Sequence, residues 1–167
     1  MNIKIKTVKD DFYKLEKGLR DVGGKSVNVG VLGGGEKAYL AGIHEYGCRI
    51  KVTDKMRAYL HRCGLHLKDS TKEIVIPERA FLRNGFDECH KEVIKKAEKA
   101  LGAVLGGEMS EDQFFEMIGL LLKGKIQTYA RNLKSPPNHP YTVEQKGTSN
   151  PLIDSGDMIG AITYEVR

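Results

Sequence analysis

Between Glu78 and Leu133 apolar residues recur at helical spacing in two long runs, separated by one glycine-rich break. The first run starts at Glu78 and carries Leu82, Phe86, Cys89, Val93, Ala97 and Leu101 along one side, and Gly102 and Gly106-Gly107 mark its end. The second opens with the clearest helix-start signal in the chain. Ser110 and Gln113 stand as a capping box, and Met109 and Phe114 are spaced as a hydrophobic staple across it. Glu111 and Asp112 suit the positive end of the helix dipole. Phe114, Ile118, Leu121, Leu122, Ile126, Tyr129 and Leu133 then predict a helix of about five or six turns. Two amphipathic helices joined by a short turn need an apolar layer to cover, and the rest of the chain must supply it.

That layer is written as short alternating segments. Ile3 and Ile5 alternate with Lys4 and Lys6 and predict an opening strand; a helix follows, with Phe12, Leu15, Leu19 and Val22 in phase before Gly23-Gly24. Val27, Val29 and Val31 share one face of a strand over Ser26–Leu32, and Gly33-Gly34-Gly35 turns the chain. Glu36–Tyr46 predicts a helix of about three turns with Tyr39, Leu40 and Ile43 inward, ended by Gly47. Cys48–Thr53 is a short extended piece, and Glu73–Pro77 is a strand that its proline ends. Between them Thr53 or Asp54 caps a helix with Met56, Tyr59, Leu60 and Cys63, so residues 51–71 read as a peripheral insertion.

At the far end, Asn150-Pro151 forces an extended entry. Asp154 or Ser155 caps a very short helix that includes Asp157. After Gly160 the chain alternates again, with Ile162, Tyr164 and Val166 on one face. Residues 134–151 differ in kind. Pro136, Pro137, Pro140 and Pro151 with Gly147 make a long Pro/Gly loop, and loops of that length tend to be functional or mobile; one helical turn over Tyr141–Lys146 fits inside it. The expected fold is therefore α+β: a mainly antiparallel sheet of about four or five strands, including both chain ends, packed by two long helices in a single domain.

Composition narrows the function classes. The chain has 167 residues, enough for a real core. Its three cysteines, Cys48, Cys63 and Cys89, are an odd set without CxxC spacing, which fits a reduced compartment. No apolar run reaches signal-peptide or membrane-spanning length, so a soluble, non-membrane protein is expected. A formal net charge of +5 raises a nucleic-acid reading. Against it, the lysines are mixed with acids throughout: Lys91, Lys95, Lys96 and Lys99 share their helix with Glu92 and Glu98.

Chemistry-bearing patterns are weak. Gly30–Lys37 resembles a phosphate loop, but Glu36 stands between the last glycine and the lysine, and no Ser or Thr follows. His61 and Cys63 are two apart and cannot share a helix face; Cys63 and His66 have usable spacing but lack further ligands, and His44 with Cys48 is an isolated pair. Buried cysteine and exposed histidine account for them, so no metal site is assigned. Cys89 and His90 are adjacent and point to different faces, no GxSxG occurs, and capping explains Asp154 and Asp157. No catalytic or cofactor-binding residue is assigned.

Three blocks carry a family resemblance: VGVL and AYLAGIHEYG within Val29–Gly47, IPERAFLRNGF over Ile76–Phe86, and PLIDSGDMIGAITYEVR over Pro151–Arg167. In this order they resemble the tail-completion, or virion-morphogenesis, proteins of tailed bacteriophages, a family that includes the minor tail protein Z of phage lambda. Ser155 and Ala161 are mild departures from its pattern. The resemblance implies a non-enzymatic structural protein of the phage neck, located in the virion and assembled in the host cytoplasm. It would act in a homo-oligomeric ring with other neck and tail proteins, such as tail terminator, head-completion or connector proteins; the net charge of +5, and that alone, adds the expectation that basic side chains meet DNA nonspecifically in the lumen. The competing expectation is a basic nucleic-acid-binding module of a mobile element.

In the ring reading, Arg79 and Arg83, a helical turn apart, pair with a neighbouring subunit's acids, with Asp87 as an internal alternative. Phe81 becomes an interface candidate if Leu82 and Phe86 are inward; packing under its own sheet stays open as the alternative. The Pro-rich segment, with Pro136, Pro137, His139 and Tyr141, is expected to order on contact with a partner.

Overall fold

A computed structural model describes residues 23–167; the opening strand expected around Ile3–Ile5 and the helix expected over Phe12–Val22 lie outside the described residues. In chain order the elements are β1 (Val27–Gly30), α1 (Glu36–Tyr46), β2 (Cys48–Lys51), α2 (Asp54–Arg62), β3 (Glu73–Ile76), α3 (Phe81–Leu105), α4 (Glu111–Asn132), α5 (Pro140–Lys146), α6 (Asp157–Gly160) and β4 (Thr163–Val166). The class is α+β, with α3 and α4 packed along each other as an antiparallel pair.

The sheet is smaller than the alternation predicts. Among the described residues β1 pairs antiparallel with β4, Val29 opposite Tyr164, and β2 pairs separately with β3, Ile50 opposite Ile74. Alternation identifies strands and their wet faces, but which edges meet is a tertiary decision. Here α4 packs against both β1 and β4. The second ladder instead hangs from the end of α1: Gly47 leads straight into β2, and Arg79 N donates to His44 O at 2.8 Å just after β3. Gly47 has φ +74, and a Cβ there would stand 2.9 Å from Glu78 N, so this junction admits glycine alone. Residues 51–71 run between the two paired strands and carry α2.

The capping box forms as its spacing predicts. Ser110 Oγ accepts from Gln113 N at 3.2 Å and Gln113 Oε1 accepts from Ser110 N at 3.0 Å. Met109 and Phe114 lie in one apolar cluster with Val104 and Phe115. By contrast, α3 starts at Phe81 instead of Glu78, after Ala80 in the left-handed region at φ 45 and ψ 41. Its buried face is Phe81, Gly85, Cys89 and Val93, so the first turns are rotated by about one position from the expected Leu82 and Phe86, and Phe86 is exposed. In α1 the phase also differs: Tyr39 is 69% exposed and Leu40 is exposed, while Ala41 and Glu45 are buried. The two shifted faces meet where Glu45 is buried against the start of α3.

The main core gathers Phe81, Ile126, Ala130, Leu133, Leu152, Ile159 and Ile162, joining both long helices to the C-terminal segment. Gln127 Nε2 donates to Ile159 O and Ile162 O, each at 3.2 Å, and fastens α6 to α4. Where α4 meets β4 the fit depends on a missing side chain: a Cβ on Gly119 would overlap the Tyr164 ring, whose hydroxyl donates to Glu116. Gly119→Ala is expected to cost about 1–3 kcal/mol by overpacking, despite the better helix propensity of alanine. At Gly85, where α3 and α4 approach, the added Cβ would sit 3.4 Å from Ile126 Cα and the Tyr129 ring, so Gly85→Ala is expected to be near neutral. Urea unfolding of the two variants checks the contrast; equal losses would reject it.

Candidate functional site: a polar node joining three segments

The helix α3 has no local side-chain cap, because Glu78-Arg79-Ala80 offers no short acceptor at the N-cap. Glu45 supplies one from α1. Its carboxylate accepts from Leu82 N at 2.8 Å and Arg83 N at 3.1 Å, the two amides that a local cap would take. Arg83 Nε adds a 2.8 Å bond to the same carboxylate, Arg83 Nη2 donates to Glu45 O at 2.9 Å, and Glu78 takes the same nitrogen at 2.7 Å. Glu45 is 3% exposed, so this is a buried anion held by three N–H donors beside a helix N-terminus. The Glu45 and Glu78 carboxylates in turn raise the Arg83 pKa, securing its charge.

Arg79, 4% exposed, works on the other side. Its Nε donates to Pro136 O at 3.1 Å, while Nη2 donates to Asn138 Oδ1 at 2.9 Å and to Pro137 O at 3.5 Å. Nη1 meets His44 Nδ1 at 3.0 Å; since arginine can only donate, His44 is neutral with its proton on Nε2. Burial, then the charges of Arg79 and Lys146, push the His44 pKa down to about 4.

The Pro-rich segment is thereby bound to the body. Ser135-Pro136 is a cis peptide. Asn138 Nδ2 donates to Pro151 O at 3.4 Å, Asn150 Nδ2 donates to Arg131 O at 2.6 Å, and Asn150 Oδ1 accepts from Leu152 N and Ile153 N. The helix α5 is longer than the single turn expected, with His139 as its N-cap: Nδ1 accepts from Tyr141 N at 3.3 Å. Tyr141 Oη donates to Cys63 O at 2.9 Å, tying α5 to the end of α2. A cleft of about 410 Å³ remains between α1, α5 and residues 151–158, bordered by His44, Lys37, Lys146, Asp154 and Asp157. Burial lowers the Lys146 pKa, against the raising effect of Asp154.

These positions revise the expected interface. Phe81 is fully buried in the main core and presents nothing to a partner. The Arg79 guanidinium is spent on His44 and the Pro-rich segment. Arg83 pairs with Glu45 and Glu78, not with Asp87. Pro136 and Pro137 offer their carbonyls to Arg79, and His139 and Tyr141 bond within the chain, while Pro137 and His139 remain exposed. Sequence reasoning missed Glu45, His44, Asn138 and Asn150. A signal for the first existed: a long amphipathic helix with no capping residue before it requires an acceptor from elsewhere.

The node joins His44-Glu45, Arg79-Phe81-Arg83 and Pro151-Leu152, one pair or trio from each of the three blocks of the family resemblance. No family model matches the chain, and neither the curated proteins nor the solved structures contain a significant match. Among the described residues, no three His, Cys, Asp or Glu side chains stand together as metal ligands, and no helix is long and apolar enough to cross a membrane.

The node makes stability pH-dependent. His44 is neutral in the fold with a pKa of about 4, whereas in the unfolded chain it takes a proton near 6.5. Its depressed pKa means that stability is fully present above pH 6.5 and is lost as pH falls towards 4. Allowing for partial solvent access, the loss is expected to be about 1–2 kcal/mol, and His44→Gln should flatten it. Denaturant midpoints at pH 7 and pH 4.5 measure both; an unchanged slope in the variant would reject the assignment.

Proposed function

We propose that this chain is a structural protein of the phage neck, completing the tail and joining it to the DNA-filled head as a subunit of an oligomeric ring. The observation that carries the reading is that its three blocks of resemblance to tail-completion proteins, far apart in sequence, meet in one node. A resemblance dispersed between Val29 and Arg167 thus corresponds to one piece of scaffold.

The contact surface then borders that node, with the half-exposed Arg83 on its rim. Tyr39 and Tyr46 on α1, Val75 on β3 and Phe86 on α3 are exposed, and Arg83 lies over the Tyr46 ring at 5.0 Å. Tyrosine, phenylalanine and arginine are the residue types enriched in interface centres. In this reading they face neighbouring subunits or the tail terminator, head-completion or connector proteins. The virion is the site of action, and any DNA contact in the lumen is nonspecific.

Interrupting the reading frame in the phage or prophage that carries it is expected to leave DNA-filled heads and finished tails unjoined in electron micrographs. Added purified protein should restore joined particles. Infectious particles assembling without it would overturn the proposal. So would a protein absent from particles and retained on DNA in a salt-sensitive manner, the signature of a nucleic-acid-binding module.

A further inference from the structure

The clearest unexplained juxtaposition lies at the tip of the β2–β3 arm, where His61 Nδ1 and His66 Nδ1 are 2.7 Å apart, with ring centroids at 4.3 Å. Both side chains are exposed, and each could bond water equally well. Their meeting follows from the local chain path. The helix α2 ends in a Schellman motif: Leu65 N donates to Leu60 O at 2.9 Å and Gly64 N to His61 O at 3.1 Å, with Gly64 at φ +88. This reversal returns His66 over His61, in the last turn. On the far side of His66, the Arg57 guanidinium holds the backbone by donating to Leu67 O at 3.2 Å, Lys68 O at 2.9 Å and Thr71 O at 2.8 Å. Both imidazoles therefore stand on braced backbone, the condition for a site that is formed before its ligand arrives.

We propose that His61 and His66 form a two-imidazole site for one divalent late first-row transition ion, of the class of Zn2+ or Ni2+. Neutral imidazole is the preferred nitrogen ligand of these ions. Two nitrogens on a tetrahedral zinc, each about 2.0–2.1 Å from it, lie about 3.3 Å apart, so the exposed rings need to open by little more than half an ångström. The ring that donates in the His–His bond carries its proton to Nε2 by exchange with water, so both Nδ1 lone pairs face the ion and no proton is released. Water completes the coordination shell. Asp54 and Asp69 border the hollow that His61 also lines, and their charge partly offsets Arg57 and Arg62 there. Cys63 is not a member: among the described residues no third His, Cys, Asp or Glu side chain stands with these two as a ligand. A bound ion would staple the end of α2 to the following loop and stiffen the arm tip.

The test is equilibrium dialysis of the untagged full-length protein against ZnCl2 and NiCl2. One ion per chain is expected, with His61→Ala and His66→Ala each weakening binding at least ~tenfold, while His90→Ala leaves it unchanged. Both substitutions are at exposed positions, and circular dichroism verifies the fold. With paramagnetic Ni2+, broadening of NMR signals is expected to centre on residues 61–66. Absence of saturable binding below about 1 mM, or binding untouched in the double variant, overturns the site. Loss on Cys63→Ser with retention in His61→Ala would also overturn it, by assigning the ion to a thiol.

Discussion

Glu45→Ala is expected to cost about 3–4 kcal/mol and to lower the melting temperature by roughly 10 °C, the largest loss from any single carboxylate in the described structure. The substitution removes the acceptor for Leu82 N and Arg83 N and the partner of Arg83 Nε in one step. Loss of an ordinary exposed ion pair costs under about 1 kcal/mol, since water replaces the partner. Here the carboxylate is enclosed, and two amides at the start of a 25-residue helix lose the acceptor that replaces a local cap. Glu45→Gln keeps one oxygen acceptor and gives up the charge, so an intermediate loss is expected. Urea unfolding discriminates: a loss below 1 kcal/mol for Glu45→Ala would mean that α3 is capped by something else.

The second large effect is expected at Arg79. Arg79→Met keeps much of the stem but leaves Pro136 O, Pro137 O, Asn138 Oδ1 and His44 Nδ1 without their donor. A loss of about 3–5 kcal/mol is expected, and it should be unevenly distributed. Backbone amides of residues 138–150 should exchange with solvent much faster, whereas α3 and α4 stay protected by their own packing. Arg79→Lys should rescue little, because a single ammonium cannot span the three directions that the planar guanidinium serves. Uniform acceleration of exchange across the whole domain would show that Arg79 supports the core instead of fastening one segment.

These two residues also mark the boundary between local and tertiary information. Glu36–Tyr46 could be recognised as a helix end to end, because the glycine turn before it and Gly47 after it are local stops. Its inward face could not. The apolar count favours Tyr39, Leu40 and Ile43, yet Glu45 is buried because α3 needs a cap, a need created about forty residues away. The start of α3 lies at Phe81 instead of Glu78, and Phe81 is in the core, the alternative left open for it beside the partner surface. Likewise the proline content of residues 134–151 announced an irregular path, while its attachment to the body depends on Arg79 and Asn150 meeting carbonyls that no spacing rule connects to them.

From the order of residues alone came the α+β class, the two long helices with the capping box of Ser110 and Gln113, and the shared apolar faces of β1 and β4. Each depends on interactions within a few positions of the chain, which spacing records directly. Tertiary structure alone decided that the described strands form two ladders instead of one sheet and that Arg79 and Arg83 find partners in their own chain. Those outcomes depend on buried polar groups finding partners: an unmet donor or acceptor costs more than an apolar phase shift of one residue, so its satisfaction overrides the periodic pattern.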